Sequence, residues 1–345
     1  MSVMTLLIVA PKLDKGDSQF GFFHRWCAEF AHHAESVVVI ADAVGETALP
    51  DNVRVWSLGG EKGRGAFRRL WKFWELFSFY YGRADAVFFY AAPGRVVAAA
   101  PFLLALKKMS ALWYAGRMTP AVRLAERLVY FIFTVSDKSF RLPSKKAIYI
   151  GHAIDTDLFS PTSDRQHSDT LRLLMVSRIA PVSDIEGLMS AVTALADILK
   201  RPWSLAIAGS PRFRHDDKYL LALRKLADKK DLSDRVNFSM PSSTHELPAI
   251  FNGHDMHISL SKSVDVDQTV LEAMASGMIV IAAGEQYKNI LPAPYFLEHR
   301  KPVFLAHRIA ELADDPRPNI ALRKIAVERY DVKRAVGRMW GMMDA

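Results

Sequence analysis

Cysteine is almost missing from this chain. Its 345 residues hold one, Cys27, which excludes an internal disulfide framework and any metal site built from several thiolates. A reducing compartment, the cytoplasm, is the natural setting. Long apolar runs are missing as well. Past the amino terminus the longest uncharged apolar stretch, Val96 to Leu106, falls far short of the roughly 20 residues that span a bilayer. The opening MSVMTLLIVAPK has no basic leader and its apolar run stops at Pro11, so it reads as a buried first strand and not as a secretory signal. No short repeat and no low-complexity segment is visible. These absences together predict a soluble protein or one held peripherally at the inner face of the plasma membrane.

What is present is globular: half the residues are hydrophobic and 24% are charged. Length allows two domains. The net charge of +8 and a pI near 9.4 suit an anionic partner, whether nucleic acid, acidic lipid or a phosphorylated small molecule.

Taken in order, the two halves read alike. Strand-like runs fall at Thr5–Ala10, Val37–Ala41, Val53–Ser57, Ala86–Tyr90, Ala111–Tyr114, Phe131–Val135 and Ala147–Ile150, with helical patterns at Gly21–His33, Ala66–Tyr81 and Thr119–Val129. A polar, proline-containing linker, PTSDRQHSDT, follows at 161–170. The alternation then restarts: strands at Leu171–Val176, Leu205–Ala208, Val236–Ser239 and Met256–Leu260, helices at Asp184–Leu199, Lys218–Lys229 and Thr244–Phe251. A short strand near Pro302–Phe304 and three helical segments complete the pattern. Such alternation predicts two doubly wound α/β domains, with ligand between them at the carboxyl ends of the strands.

Four stretches carry residues suited to chemistry. The loop PKLDKGDSQFGFFHRW feeds a helix amino terminus through Gly16 and Gly21, which suits phosphate, or is a plain connection with Phe22, Phe23 and Trp26 in the core. The segment 62–83 has two aromatic stripes. Phe67, Leu70, Trp71, Trp74, Phe77 and Tyr81 are expected in the core, and Phe73, Leu76 and Tyr80 on a second face beside Arg68, Arg69 and Lys72. A spare aromatic face with a basic cluster fits docking on an anionic membrane surface through Arg68, Arg69, Lys72, Phe73 and Tyr80. The alternative is a solvated helix with a wide core face, and no stacking motif supports nucleic acid. Arg178 follows a strand end, where a guanidinium pairs with a diphosphate, and Asp184 is placed to cap the next helix. Finally, Ser259 to Ala283 reads as strand, polar loop, short helix, glycine stop at Gly277 and strand. Asp267 is placed as its N-cap, and Gln268, Thr269 and Val270 present helix-opening amides to an anion. Glu272 either faces a ligand or closes a capping box with Thr269.

Together these stretches resemble the family 4 glycosyltransferases, retaining enzymes of the group 1 type with the GT-B fold. The resemblance covers nearly the whole chain. It rests on GHAIDTDLFSP, VSRIAPVSDIEGLMSAV, LAIAGSP, LADKKDLSDRVNFSM, PSSTHELPAIFNGHDMHISLS and VLEAMASGMIVIAA in order. It implies two Rossmann-like domains facing across a cleft: an acceptor-side domain at 1–160, a nucleotide-sugar domain at 161–325, and a helix at 326–345 crossing back. It implies a metal-independent transferase without a cofactor, moving a hexose-like sugar from a nucleotide-sugar donor. Arg178 would contact the diphosphate and Glu272 the ribose hydroxyls, as the two catalytic candidates. Asp267, Gln268, Thr269 and Val270 would cradle phosphate, Met240 and Pro241 would meet the base, Gly209 would end a strand at the site, and Gly21 would approach from the first domain.

The chain departs from the family pattern at three places. Val264 stands where the first glutamate of E-x₇-E falls, with Asp265 and Asp267 nearby. Ser183 stands where a lysine is usual. The amino-terminal histidine is replaced near 113–117, where Arg117 is the sugar-side candidate beside Asp265, and Arg117 or Lys12 could restore positive charge. The leading expectation is transfer to a lipid-linked or polysaccharide acceptor at the cytoplasmic membrane face, within glycan biosynthesis. The alternatives are a non-catalytic GT-B protein binding a nucleotide or glycan, and a sugar-nucleotide epimerase.

Overall fold

Apolar alternation becomes parallel sheet in both halves of the chain. The computed structural model describes residues 4–17, 20–162, 168–211, 213–241, 244–315 and 317–344. Part of the expected linker, 163–167, and two residues of the first βα loop, 18 and 19, lie outside the described residues. The chain forms two units: Met1–Ala153 with Val332–Ala345, and Ile154–Asp331.

The N-terminal unit carries β1 (Thr5–Leu13), β2 (Ser36–Val44), β3 (Val53–Ser57), β4 (Ala86–Tyr90), β5 (Met109–Trp113), β6 (Phe131–Thr134) and β7 (Ala147–Tyr149) in the order β3-β2-β1-β4-β5-β6-β7, all parallel. Its helices are α1 (Gly21–His33), α2 (Ala66–Tyr81), α3 (Pro93–Ala98), α4 (Ala100–Leu106) and α5 (Pro120–Leu128). Strand alternation splits the core: Leu6, Ile8 and Ala10 face one apolar layer, and Leu7 and Val9 the other. Thr119 accepts the Val122 N–H at 3.3 Å and Pro120 occupies the first turn, so α5 starts where its sequence says it should.

The C-terminal unit carries β8 (Leu171–Val176), β9 (Trp203–Ala208), β10 (Val236–Ser239), β11 (Met256–Ser259), β12 (Ile279–Ala283) and β13 (Phe296–Leu297), parallel in the order β10-β9-β8-β11-β12-β13. Its helices are α6 (Ile185–Ile198), α7 (Arg214–Lys229), α8 (Leu247–Asn252), α9 (Gln268–Ala275), α10 (Pro302–Glu311) and α11 (Ile320–Tyr330). A last helix, α12 (Val332–Met343), belongs to the N-terminal unit, where Val336, Met339 and Trp340 join the layer formed by α1. The structure thus has two Rossmann-like units, each a parallel sheet covered by helices on both faces.

Three expectations change. The strand expected near Pro302–Phe304 is the opening of α10, with Pro302 in its first turn and Leu305, Ala306 and Ile309 buried on one face. The closing strand is Phe296–Leu297, paired with Ala282 and Ala283. In α2 the core face is drawn from both stripes. Phe77 and Tyr81 are fully buried as expected, and Phe73 joins them from the second stripe, so it is core and not a docking residue. Phe67, Trp71 and Trp74 are exposed, the first two at 79% and 65%. Both stripes have helical spacing and lie about 100° apart around the axis. The buried face falls between them, with Leu70, Leu76 and Tyr80 partly buried at its edges, and spacing alone does not say where the sheet centres. Lys72 is also committed, its Nζ donating to the Ser57 carbonyl at 2.7 Å. No helix among the described residues is long and apolar enough to cross a membrane.

Candidate functional site

Crossovers in the C-terminal unit run outward from β8 to β9 and β10 on one side, and from β11 to β12 and β13 on the other. At such a reversal the loops leaving the two central strands diverge, and a crevice opens beyond their carboxyl ends. A cleft of about 460 Å³ lies there, lined by Met175 to Arg178, Val182, Ser183, Ile258 to Ser261, Ser263 and Asp267 to Thr269.

Arg178 stands exposed at one wall. Its backbone is held by Ser183, whose Oγ donates to the Arg178 carbonyl at 2.7 Å. The opposite feature is the start of α9. Asp267 occupies the N-cap position but does not cap. Its Oδ2 instead accepts from Ser259 Oγ at 2.7 Å and Tyr287 OH at 3.0 Å, and its own N–H donates to Tyr287 OH at 3.1 Å. The carboxylate is therefore anchored to the end of β11, and the first-turn amides of Gln268, Thr269 and Val270 have no side-chain cap. The Val270 N–H donates to the Asp267 carbonyl at 3.1 Å, so the N–H groups of Gln268 and Thr269, with the positive end of the helix dipole, are the ones that favour an anion.

Glu272 lies one turn on, 4% exposed, and accepts a hydrogen bond from Gln268 Nε2 at 2.7 Å. The capping-box alternative is not realised: no side chain caps α9. Burial pushes the Glu272 carboxyl up to about 7, against the opposing effect of the Gln268 bond. Gln268 lines the cleft, so Glu272 sits one side chain behind it. Val270, expected in the phosphate cradle, is fully buried among Leu271, Met274 and Val280 with its N–H on the Asp267 carbonyl, and does not line the cleft.

Gly209 follows β9. A Cβ there would lie 1.8 Å from the Ser177 carbonyl oxygen, while Ser177 N–H donates to Ala208 and Gly209 N–H to Ser239. Only glycine lets the ends of β8 and β9 approach this closely. Exposed Met240 and half-buried Pro241 follow β10, the next strand outward. Val264, 44% exposed, and half-buried Asp265 lie on the loop between Ser263 and Asp267. Gly21 and Arg117 belong to the N-terminal unit, at the first residue of α1 and on the exposed loop after β5. Lys12 pairs with Asp17 and, at 3.1 Å, with Asp14, which raises its pKa.

Sequence reasoning missed the supports. Tyr287, twenty residues beyond Asp267, has no local signal that couples it to the loop. Asp184, expected to cap α6, sits in the left-handed region at φ 56° and makes no cap; its carboxylate pairs with Lys262 at 3.1 Å. His257 in β11 is fully buried, accepts the Val176 N–H at Nε2 (3.3 Å), and is pushed down to about 3 by burial. Among the described residues no group of three or more His, Cys, Asp or Glu is arranged to hold a metal ion.

Residues 161–289, which include every residue of this cleft, match the family model described as glycosyl transferases group 1. The chain is 33% identical over 135 residues to an alpha-monoglucosyldiacylglycerol synthase of Streptococcus pneumoniae, covering 37% of this chain and 29% of that protein. It is 29% identical over 168 residues to a GDP-mannose:cellobiosyl-diphosphopolyprenol alpha-mannosyltransferase of Xanthomonas oryzae, covering 44% of this chain and 42% of the other. The chain thus matches less than half the length of either relative. In fold it is similar to HepE of Anabaena, solved with UDP and glucose: TM-score 0.74 over 99% of this chain and 100% of that one, at 15% identity.

Proposed function

We propose that this protein, a member of the group 1 glycosyltransferases through residues 161–289, moves a sugar with retention from a nucleotide-sugar donor to a lipid-linked or polysaccharide acceptor at the cytoplasmic membrane face. One observation carries the reading: Arg178 and the uncapped first turn of α9 line the same cleft at the strand reversal. Both favour negative charge, and a diphosphate is the leaving group they suit. As the glycosidic bond breaks, charge develops on the departing phosphoryl oxygens, where a guanidinium and fixed amide dipoles stabilise it without reorganising. Glu272, one side chain behind the cleft wall, takes the ribose hydroxyls on its carboxylate once Gln268 gives up its bond to it. The carboxylate lining the cleft among the described residues, Asp267, is held by Ser259 and Tyr287. The acceptor hydroxyl attacks the anomeric carbon from the face the diphosphate leaves, its proton passing to the departing phosphoryl oxygen.

The donor class is supported by the Anabaena neighbour's complex with UDP and glucose. The acceptor class is supported by the relatives' names, one a diacylglycerol product and the other a diphosphopolyprenol substrate. Docking is supported by α2, where exposed Phe67, Trp71 and Trp74 stand beside exposed Arg64 and Arg68.

The test is label transfer from a panel of UDP- and GDP-sugars to extracted membrane lipids, with the product anomer assigned by NMR. Arg178→Ala is expected to lower turnover by about 100-fold or more with an unchanged melting temperature; full turnover in this variant would show the role is misassigned. Val264 favours a second reading, a binding protein without transfer, because it puts an exposed methyl pair where the family has a carboxylate. Tight donor binding with neither transfer nor hydrolysis across the panel would select that reading.

A further inference from the structure

Arg178 is the cation among the described residues lining the cleft, whereas a nucleoside diphosphate spreads negative charge over two phosphoryl groups. Two further cations lie on or against the loop after β11. Arg300 is committed to the fold: its Nη2 donates to the carbonyls of Ser261 at 2.9 Å and Ala283 at 3.2 Å. Lys262 is placed differently. Its backbone N–H donates to the Val182 carbonyl at 2.8 Å, fastening this loop to the turn after β8. Its flanking residues Ser261 and Ser263, and Val182 and Ser183 on the turn it grips, all line the cleft.

The ammonium of Lys262 lies 3.1 Å from Asp184 Oδ1, with 54% of the side chain exposed. Asp184 has given up capping α6, and its carboxylate is turned to this lysine. A half-exposed pair of this kind is weak and exchangeable. Ser183, between Val182 and Asp184, is buried with its hydroxyl on the Arg178 carbonyl, so that position supplies no charge.

We propose that Lys262, reaching in from the loop after β11, is the second cation of the diphosphate site, held beside the cleft by Asp184 until a donor arrives. The inference rests on the donor-site reading above. It assigns a phosphate-binding role to a residue at which the family resemblance places none, and it accounts for a site that holds serine at 183.

The test is calorimetric binding of UDP and GDP, each beside its uncharged nucleoside, to the full chain and three variants. Lys262→Met is expected to weaken diphosphate binding about tenfold or more, the loss of one charge-assisted hydrogen bond, with nucleoside binding unchanged. Asp184→Asn, which keeps the lysine and suits a left-handed backbone, is expected to match or exceed the parent. Equal losses in these two variants would mean a structural ion pair and overturn the proposal. A diphosphate affinity that falls in Arg178→Ala but not in Lys262→Met would overturn it while leaving the donor site standing. A parent chain that binds neither diphosphate would overturn both.

Discussion

The Ser177 carbonyl oxygen occupies the space a side chain would need at Gly209, 1.8 Å from where its Cβ would be. The contact joins the ends of β8 and β9 immediately before Arg178. Gly209→Ala must therefore push backbone from backbone, and overpacking without a flexible neighbour costs at least about 2 kcal/mol. A lowered urea midpoint is expected, together with weaker diphosphate binding, because Arg178 moves with Ser177. An unchanged midpoint would mean the two strand ends part freely.

Glu272 couples stability to pH with a definite sign. Its carboxyl titrates near 7 in the folded chain against 4.5 ordinarily, so between these values the native state holds the extra proton. Its contribution to stability then falls as pH rises from about 4.5 to 7 and stays low above. Glu272→Gln is expected to be more stable than the parent at pH 8, by up to about 3 kcal/mol, and to bind donor less well. Donor affinity of the parent should rise with pH through 7, as the carboxylate forms. Chemical unfolding at pH 5 and 8 checks the first claim and titration with donor the second.

Asp255 is 4% exposed and braces the back of the same sheet, bonded to Arg172 at 3.2 and 3.0 Å and paired with Arg317 at 2.8 Å. Burial raises its pKa, but the Arg172 hydrogen bonds and Arg317 outweigh this and the net shift is downward. Its stabilisation is present above the ordinary aspartate range and is lost as pH falls through the folded value. Asp255→Asn leaves two poorly exposed guanidinium groups without their anion and is expected to cost about 3 kcal/mol at pH 7, read from the urea midpoint. The deficit should shrink below pH 4.

The exposed stripe of α2 predicts a separable phenotype. Phe67→Ser with Trp71→Ser should abolish flotation on anionic liposomes with stability intact, and Arg68→Glu should weaken it by at least about 1 kcal/mol. Phe73→Ser, in the core, should unfold the protein. Flotation that survives the paired substitution would assign membrane contact, if any, to another face.

How much of this was legible in the sequence divides along physical lines. Strand and helix positions were, because burial on both faces of a parallel sheet leaves apolar runs, and α2 was legible at Ala66–Tyr81 by its pattern. Pro302–Phe304 misled, because three residues beginning with proline are too short to show a helical period. The cleft residues Arg178 and Asp267 to Thr269 were legible as a strand end and a helix start. Their supports were not: Tyr287 reaches Asp267, and Asp184 abandons its helix for Lys262, through tertiary contacts that no local spacing encodes. In α2, Phe77 and Tyr81 were legible as core, but where around the axis the buried face centres is decided by packing, so Phe73 is buried and Phe67 exposed, the reverse of their expected places.

On this reading the crevice between β8 and α9 holds a nucleoside diphosphate. Hydrogen–deuterium exchange of the full chain, with and without saturating UDP or GDP, tests it most directly. Protection is expected at 177–183 and at 261–272, and it should vanish in Arg178→Ala. Protection confined to other segments, or none with either nucleotide, would contradict it.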